Sequence, residues 1–393
     1  MTKVIYDPSL CDLCGSEATE IILKFNNNSM TSDSRIVNMN LHKVKCLDCQ
    51  LIRNGDPFFE EDLSKHYEED YKLGQQSESA EPLYYTENGP ILRSKMIFDW
   101  MLENFNKINF DRPANILEIG CGEGSLLKQF SDHWKNSNVQ GIDMSQKSVN
   151  IANLNCLHAR KGSYKDIDGQ FDLIYSFAVI EHVPSPRDFI MCLKEHLHND
   201  GLLLIAQPCQ DFGSHDIYYS DHIYHFYSSH LKDFGIKQGM KQVCFSNDHK
   251  YIKGFSMHLF KKNIEKEVIQ NFDYKETHID INMTLDKWDS IFNNINDWLK
   301  ENKSKKLALW GIGQTYTMLM AYTELKNCQV DFAIEDNLER YAGFDHPFHI
   351  IRSDDKFAVD EKELAILFTF KPNGDILERL ESKNISYHIP HLN

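Results

Sequence analysis

The sequence predicts an α/β protein with three parts: a cysteine-rich N-terminal module and two successive units of strand, glycine turn and helix. Two Cys-x-x-Cys pairs lie within the first 50 residues. A buried-strand pattern runs into a glycine turn near residue 120, and a second one runs into a glycine turn near residue 311. Because strands that alternate with helices form parallel sheets covered by helices, each unit is expected to fold as an α/β domain.

The length and composition favour a folded protein of several domains. The chain has 393 residues, of which 41% are hydrophobic and 25% charged, and at roughly 100–200 residues per domain it is too long for one. A formal net charge of -16 disfavours a phosphate backbone as ligand, so nucleic acid is not an expected partner. No apolar run approaches the ~20 residues that span a bilayer, and no stretch of signal-peptide length precedes Asp7. We therefore expect a cytoplasmic protein without membrane contact, of undetermined oligomeric state.

Four cysteines form two matched pairs in the N-terminal module. Cys11 and Cys14 make the first pair, Cys46 and Cys49 the second, and the other six cysteines are scattered singly. Each pair has the spacing that lets two thiolates hold one ion from a tight turn, and four thiolates complete a tetrahedral zinc site. Because sulfur fills every ligand position, the zinc is predicted to be structural.

The segment between the two pairs is expected to form strands at residues 20–25 and 36–44. A module this small has too little hydrophobic core to be stable without a bound metal or a cross-link, which favours zinc over a redox pair or free thiols. Since zinc ribbons also bind partner molecules, a zinc-ribbon adaptor protein is the non-enzymatic alternative for the whole chain.

The first glycine turn follows a strand predicted at residues 115–119 and precedes a helix predicted from residue 125. Its glycines let the backbone bend sharply and approach a ligand closely, and the helix N-terminus offers unpaired amides beside it. The glycines of this turn are Gly120, Gly122 and Gly124.

A second predicted strand, at residues 139–142, ends at Asp143, which is placed to accept hydrogen bonds from a ribose diol. The turn and this aspartate together predict a nucleotide-type cofactor. Ser125 stands where the dinucleotide fingerprint has its third glycine, so an NAD-dependent dehydrogenase is only the second interpretation of the cofactor.

Four motifs of this unit resemble, in their order, those of class I S-adenosylmethionine-dependent methyltransferases. They occupy residues 117–124, 141–143, 171–174 and 180–183. The resemblance implies a Rossmann-like domain with a seven-stranded sheet, in which Glu118 and the glycine turn meet the methionine end of the cofactor. It further implies that Asp143 holds the ribose hydroxyls and Met144 packs on the adenine. Ser163 and Tyr164 take the place that faces the adenine amine.

Residues 213–227 are dense in histidine, tyrosine and aspartate side chains. The segment leaves the carboxyl end of a predicted parallel strand, which is where open α/β sheets bind ligands. His182, at the end of the neighbouring strand, is expected to reach the same crevice. Burying so many polar groups without a function is costly, which favours a catalytic role.

Two other interpretations of this segment remain open. One is an aromatic helix that simply packs on the domain. The other is a metal site, because residues three apart share a helical face, with the candidate ligands His222 and His225 and either Asp216 or Asp221.

The two cysteine pairs, the methyltransferase motifs and the run Tyr219-x-Asp221-His222 together resemble sugar C-methyltransferases that act on nucleotide-linked 4-keto sugars. Those enzymes carry an N-terminal zinc module and a C-terminal Rossmann-like domain. The resemblance implies that His222 removes the proton beside the ketone. The candidate residues that orient it or stabilise the enolate are Tyr219, Asp221 and His182.

This sequence departs from that group at two places. Asp221 stands where the group has glutamate, and residues 72–79 replace a serine-rich stretch. The implied reaction is methyl transfer to carbon of a small nucleotide-linked sugar in carbohydrate biosynthesis. Transfer to an amine or hydroxyl of a sugar or other small molecule is the close alternative.

The C-terminal part repeats the plan of strand, glycine turn and helix. An amphipathic helix predicted near residues 286–302 precedes a strand at residues 306–310, and a helix is expected to reach about residue 326. By resemblance this domain helps to bind the nucleotide of the acceptor, and a domain that only supports the crevice is the alternative. The acceptor-side candidates are Gly311, Gly313, Gln314 and Thr315.

The predicted domain boundaries follow from these three parts. We expect a zinc-binding module at residues 1–75, a methyltransferase domain at residues 76–263 and a Rossmann-like domain at residues 264–393.

Overall fold

The computed structural model describes residues 3–59, 83–86, 89–110, 113–247, 254–263, 280–336, 347–354 and 363–390. The stretch at residues 72–79 and the boundaries near residues 75 and 264 lie outside the described residues. Within the described ranges, no helix combines the length and the apolar character needed to cross a membrane.

The N-terminal part is built on a four-stranded antiparallel sheet in the order β15-β6-β5-β2. Its outer strand β15 (Tyr224–His225) comes from the histidine and tyrosine segment and pairs with β6. The strand predicted at residues 36–44 is interrupted at residues 38–40, where the Asn40 side chain accepts the Asn27 amide. The strands before residue 60 are β1 (Val4–Tyr6), β2 (Thr19–Phe25), β3 (Ser29–Met30), β4 (Ile36–Val37), β5 (Leu41–Cys46), β6 (Ile52–Asn54) and β7 (Phe58–Phe59).

The central part contains a seven-stranded sheet in the order β12-β11-β10-β13-β14-β17-β16, as the resemblance implied. Only β17 runs antiparallel to its neighbours. The elements of this part are β8 (Leu83–Thr86), β9 (Gly89–Leu92), α1 (Arg93–Lys107), β10 (Asn115–Ile119), α2 (Ser125–His133), β11 (Asn138–Asp143), α3 (Gln146–Leu154), β12 (Ala159–Lys161), β13 (Phe171–Phe177), α4 (Pro186–Glu195), β14 (Leu197–Pro208), α5 (Ser228–Lys237), β16 (Met240–Ser246) and β17 (Phe255–Lys262).

Alternate side chains of β10 pack into two hydrophobic layers, one on each face of this sheet. Leu117 and Ile119 pack in one layer with Phe189 of α4, and Ile116 packs in the other with Phe130 of α2. The strand order reverses between β11 and β13, on the two sides of β10. A crevice for ligands is expected at the carboxyl ends of these strands, next to the glycine turn.

The C-terminal part is a five-stranded parallel sheet in the order β20-β19-β18-β21-β22, a Rossmann-like arrangement. The helix expected to reach residue 326 ends at Tyr322, because the Thr323 hydroxyl accepts the Leu325 amide and starts a separate turn. The elements are α6 (Ile281–Glu301), β18 (Lys306–Trp310), α7 (Gln314–Tyr322), β19 (Val330–Ile334), β20 (His349–Ile351), β21 (Leu364–Phe368), α8 (Gly374–Ser382) and β22 (Ser386–His388).

One hydrophobic cluster joins the N-terminal sheet, the histidine and tyrosine segment and the C-terminal domain. It includes Leu41 of β5, Tyr218 of the segment, and Trp288 and Tyr322 of the C-terminal domain. The Tyr322 hydroxyl donates to the Tyr218 carbonyl over 2.5 Å and accepts the Met30 amide over 3.1 Å. The three parts therefore meet at the segment that carries the candidate catalytic residues.

Candidate active site

The glycine turn after β10 is tightly packed. Gly120 has a φ of +73°, and a Cβ atom there would lie 2.3 Å from a methyl group of Val179. Helix α2 begins after Gly124, and no side chain caps its N-terminus. First-turn amides without a side-chain acceptor suit a polar ligand in the crevice.

Asp143, at the end of β11, holds this turn in place. One carboxylate oxygen accepts the Gly122 amide and the other accepts the Ser145 amide, both over 2.8 Å. Burial raises the pKa of Asp143 above its usual value. Because a carboxylate oxygen has two lone pairs, each retains an acceptor position suited to a ribose hydroxyl. Met144 follows directly and is partly buried.

Glu118 is buried below the turn, where it accepts a hydrogen bond from the Tyr175 hydroxyl over 2.9 Å. Burial raises the pKa of Glu118 well above its usual range. The structure thus pairs this residue with a tyrosine of β13, while its contact with the methionine end of the cofactor remains a prediction.

Ser163 lies in a capping box after β12. Its hydroxyl donates to Asp166 over 2.8 Å, and the ring of Tyr164 packs edge-on against Phe189 in the core. The Ser163 hydroxyl is therefore paired with the carboxylate of the exposed Asp166. Our sequence reasoning missed Asp166, although its Ser-x-x-Asp spacing is a recognisable capping signal.

The histidine and tyrosine segment, residues 213–227, is not an α-helix. The aromatic-helix interpretation and the helical spacing assumed for the metal site were therefore wrong. The segment consists of a short 3₁₀ turn, His215–Tyr218, and strand β15. Its backbone bonds to the N-terminal part instead, since the Ser220 amide donates to the Met30 carbonyl over 2.8 Å. His222 and His225 are therefore brought together by tertiary contacts and not by helical spacing.

Asp216 links the two histidines. One of its carboxylate oxygens lies 3.3 Å from Nδ1 of His222 and 2.8 Å from Nδ1 of His225. The other oxygen accepts the Gln210 side-chain amide over 2.5 Å. Burial favours the protonated form of Asp216, but the bonds to both imidazoles outweigh it and hold its pKa far below the usual value. Both Nδ1 atoms thus lie within hydrogen-bonding distance of this carboxylate. The same placement fits the metal interpretation, since one ligand atom each of Asp216, His222 and His225 lies within 4.8 Å of the others.

His222 is 3% exposed, and its ring makes edge contacts with the rings of His182 and Tyr219 at centroid distances of 4.6 and 5.0 Å. Burial lowers the pKa of His222, but the bond to Asp216 and the charges of Asp221 and Glu181 raise it more, so the net shift is upward. Three of the predicted catalytic side chains thus lie in contact.

His225 differs from His222 in its charge state. Burial lowers the pKa of His225 to about 3, and its Nε2 atom is buried without a hydrogen-bond partner. The ring is therefore neutral at pH 7, and it helps to fix Asp216.

Asp221, a candidate for orienting His222 or stabilising the enolate, has its carboxylate bonded to the N-terminal part. Its carboxylate accepts the Ser32 amide over 2.8 Å and the Ser32 hydroxyl over 2.6 Å. Its backbone carbonyl lies 2.9 Å from Nδ1 of His182. Asp216 is therefore the carboxylate that bonds to His222, and Asp221 contacts His182 through its backbone carbonyl.

Glu181 is a functional candidate that our sequence reasoning did not single out. Its side chain is 1% exposed, neither carboxylate oxygen has a hydrogen-bond partner, and burial raises its pKa to about 7. One titratable atom of Glu181, one of His182 and one of His222 lie within 4.8 Å of one another. Its position in a turn directly after the central strand β13 was the available signal.

Lys43 of β5 supports the segment from the N-terminal side. Its fully buried ammonium group donates to the carbonyls of Tyr219 and His222 over 2.8 and 2.7 Å and to the Asn54 side chain over 2.5 Å. Burial lowers the pKa of Lys43 to about 7, against the opposing charges of Asp221 and Asp216. No sequence pattern indicated this role, because the contact joins residues far apart in the chain.

The glycine turn of the C-terminal domain lies beside the same segment. The Gln314 side chain lies 3.4 Å from Nε2 of His215 and donates to the Ser32 carbonyl over 3.4 Å. Gly311 has a φ of +89° and packs against Thr369, while Gly313 and Thr315 flank Gln314 at the start of α7. The acceptor-side candidates thus adjoin the predicted catalytic segment.

The four cysteine sulfurs of the N-terminal module converge. The distances are 3.5 Å from Cys11 to Cys49 and 3.5 Å from Cys14 to Cys46, and all four Sγ atoms lie within 4.8 Å of one another. A tetrahedral zinc with Zn–S bonds of about 2.3 Å separates its ligands by about 3.8 Å, so the four residues fit zinc.

Residues 92–242 match the family model described as "Methyltransferase domain". This domain has the class I methyltransferase fold. The methyltransferase domain is similar to trans-aconitate 2-methyltransferase of Deinococcus radiodurans, with 31% identity over 27% of this chain and 43% of that protein. It is also similar to the mitochondrial ubiquinone biosynthesis O-methyltransferase of Schizosaccharomyces pombe, with 29% identity over 28% of this chain and 43% of that protein. The chain spans less than half the length of these two relatives.

Solved methyltransferase structures are similar to the same part of the chain. The plantazolicin methyltransferase BpumL in complex with SAH has 16% identity and a TM-score of 0.37, covering 43% of this chain and 85% of that one. Magnesium protoporphyrin IX methyltransferase from Synechocystis PCC 6803 with bound SAH has 13% identity and a TM-score of 0.36. The similarity covers 43% of this chain and 81% of that one.

Proposed function

We propose that the protein transfers a methyl group from S-adenosylmethionine to a carbon atom of a small, nucleotide-linked keto sugar, with His222 as the base. The observation that supports this most is the buried pair of Asp216 and His222, hydrogen-bonded over 3.3 Å. Within the methyltransferase domain it lies in the segment that follows β14, next to His182 in the turn after β13.

The residues proposed to hold the cofactor lie around the carboxyl ends of β10 and β11. When bound, S-adenosylmethionine supplies an electrophilic methyl group. The glycine turn and the N-terminus of α2 hold its polar end, and Asp143 accepts hydrogen bonds from its ribose hydroxyls. The proposed cofactor residues are Glu118, Gly120, Gly122, Gly124, Asp143, Met144 and Ser163.

The Asp216–His222 pair suits proton removal from carbon. With Nδ1 bonded to Asp216, the lone pair of the neutral imidazole lies on Nε2, which is the atom that takes the proton. Asp216 then stabilises the imidazolium that forms, since its carboxylate is charged and buried beside the ring. An amine acceptor already carries a lone pair and needs no such base, so this pair favours carbon over nitrogen.

The C-terminal domain is proposed to bind the nucleotide of the acceptor. Gln314 supports this because its side chain lies beside His215 of the catalytic segment. Together with Gly311, Gly313 and Thr315 it forms a glycine turn followed by a helix N-terminus, a geometry that suits phosphate groups. The proposed division into residues 1–75, 76–263 and 264–393 separates zinc, cofactor and acceptor binding.

The test is a screen of nucleotide-linked keto sugars with methyl-labelled cofactor, followed by location of the label. We expect the label on the carbon next to the ketone. In heavy water without cofactor, the same acceptor should exchange its neighbouring proton for deuterium. His222→Ala should abolish exchange and transfer, whereas His198→Ala, an exposed control, should change neither.

Label on nitrogen or oxygen would contradict carbon methylation while leaving a methyltransferase. Label on oxygen would be in keeping with the O-methyltransferase among the relatives. Absence of S-adenosylmethionine binding at millimolar concentration, measured by calorimetry, would contradict enzymatic methyl transfer and favour the adaptor alternative.

A further inference from the structure

Glu181 is a buried carboxyl group that the mechanism proposed above does not use. Burying a carboxyl without a hydrogen-bond partner is costly, and such groups in a catalytic cluster call for a functional explanation. Both of its oxygens lack a partner although the side chain is 1% exposed. The group sits on the 3₁₀ turn Ile180–His182, directly after the central strand β13.

The position of Glu181 beside His222 suits a hydrogen bond to the ketone oxygen of the acceptor. We propose that Glu181 acts as the acid that faces His222, donating a hydrogen bond from its protonated carboxyl group to the ketone oxygen while His222 removes the neighbouring proton. This inference rests on the proposed carbon methylation. One ring nitrogen of His222 and one carboxylate oxygen of Glu181 lie within 4.8 Å of each other. Such a short separation suits an acceptor whose α-hydrogen and ketone oxygen are on adjacent carbons.

The step balances within the chain and the acceptor. The C–H bond breaks, its proton goes to Nε2 of His222, and its electron pair forms the new C=C bond. The C=O π pair moves onto oxygen, where the hydrogen bond from Glu181 stabilises the developing charge. A carboxylic acid kept neutral by burial is suited to this task at pH 7.

The surroundings of Glu181 agree with a protonated carboxyl in the resting state. Burial raises the pKa of Glu181 to about 7, with the charge of His222 opposing the shift. Two carboxylates in the same cluster, Asp216 and Asp221, add to the increase. Another titratable side chain on this turn is His182, and strand β15, which carries His225, packs against the turn.

The test uses the whole 393-residue chain, loaded with zinc, and deuterium exchange of a 4-keto nucleotide-sugar, followed over pH 5–9. In the wild type we expect a bell-shaped profile, because activity needs one proton shared between His222 and Glu181. Glutamine has nearly the same side-chain shape as glutamic acid but is a weaker hydrogen-bond donor and does not titrate. In Glu181→Gln the exchange rate should therefore fall about 10²-fold or more, and the alkaline limb of the profile should disappear. The acid limb should stay close to its wild-type position, because the protonated Glu181 and the glutamine that replaces it are both uncharged in that pH range.

Glu195→Gln, at an exposed position on α4, is the matched control and should retain the wild-type profile. A variant Glu181→Gln that loses rate but keeps the alkaline limb would overturn the inference and leave carbon methylation standing. A second metal ion per chain that this variant removes would also overturn it. Absence of exchange in the wild type would instead contradict the proposed function itself, and the inference with it.

Discussion

At the scale of single residues, Asp143 connects the glycine turn to the loop after β11 through two backbone amides. Asp143→Ala should weaken S-adenosylmethionine binding by roughly 1.5–3 kcal/mol, or about 10–150-fold, because charged hydrogen bonds to the ribose are lost. Calorimetric titration measures the change.

Asp172 offers a matched control for this substitution. One oxygen of its carboxylate also accepts two backbone amides, those of Ala114 and Asn115, over 2.8 and 2.9 Å, but at the amino end of β10. Asp172→Ala should lower stability and leave cofactor affinity unchanged. Equal losses of affinity in both variants would mean that Asp143 acts only on the turn.

His258 of β17 predicts a pH dependence of stability away from the site. It is fully buried beside Gln242 and Ser256, and burial lowers its pKa to about 3. Because the folded-state pKa lies below the unfolded value of about 6.5, the stabilisation is present above pH 6.5 and is lost as the pH falls toward 3. Between pH 6.5 and the folded-state pKa, this one group should lower the free energy of unfolding of the wild type by about 1.4 kcal/mol for each pH unit of acidification.

Urea denaturation at pH 7, 6 and 5 compares the wild type with His258→Gln. The free energy of unfolding of the variant should fall less steeply with pH, since the other titrating groups are shared. His198→Gln, at an exposed position, should follow the wild type. Parallel curves for His258→Gln and the wild type would show that His258 is charged in the folded state or does not titrate in this range.

At the scale of elements, the strand-turn-helix unit around Gly120 depends on space as well as on backbone conformation. Gly120→Ala places a Cβ atom 2.3 Å from Val179 at a φ of +73°. Gly169 has a φ of +95° with nothing within 4 Å of an added Cβ atom, so Gly169→Ala introduces backbone strain alone.

We expect Gly169→Ala to cost about 1–2 kcal/mol of stability and Gly120→Ala a further 1–3 kcal/mol, on the order of the cost of overpacking. Only Gly120→Ala should also reduce cofactor affinity. Thermal unfolding and calorimetry distinguish the two effects. Similar stability losses in both variants would mean that Val179 moves away without cost.

At the scale of the whole molecule, the N-terminal module supports the segment that carries the proposed catalytic residues, through hydrogen bonds from Lys43, Asn54 and Ser32. Removing zinc with a strong chelator should unfold this module, because metal binding and folding are coupled in such sites. Methyl transfer should then be lost, whereas S-adenosylmethionine affinity should change less than tenfold, since the glycine turn belongs to the seven-stranded sheet.

Metal analysis should give one zinc per chain, and Cys46→Ser should reproduce the effect of the chelator. Cys156→Ser, at an exposed single cysteine, is the control and should retain metal and activity. Full activity in metal-free protein would contradict the coupling between the module and the catalytic segment.

Local patterns were enough to predict the elements around the proposed cofactor site. Strand β10 at residues 115–119 and strand β18 at residues 306–310 begin and end where the apolar runs and glycine turns indicated. Burial on both faces makes such central strands continuous apolar runs, and glycine with a positive φ marks the turn. The four cysteines could be predicted as ligands in the same way, because the two cysteines of each pair are close in sequence.

The sequence by itself therefore determined the two α/β units, the cysteine site and the order of the methyltransferase motifs, since each rests on residues that are neighbours in the chain. Only the tertiary structure decided that Asp216 and not Asp221 bonds to His222, and that Lys43 and Ser32 hold the segment from a different part of the chain. The segment folds as turns and a strand because its backbone pairs with β6 and Met30. Such contacts depend on how distant elements pack, and they leave no periodic signal in the residues that make them.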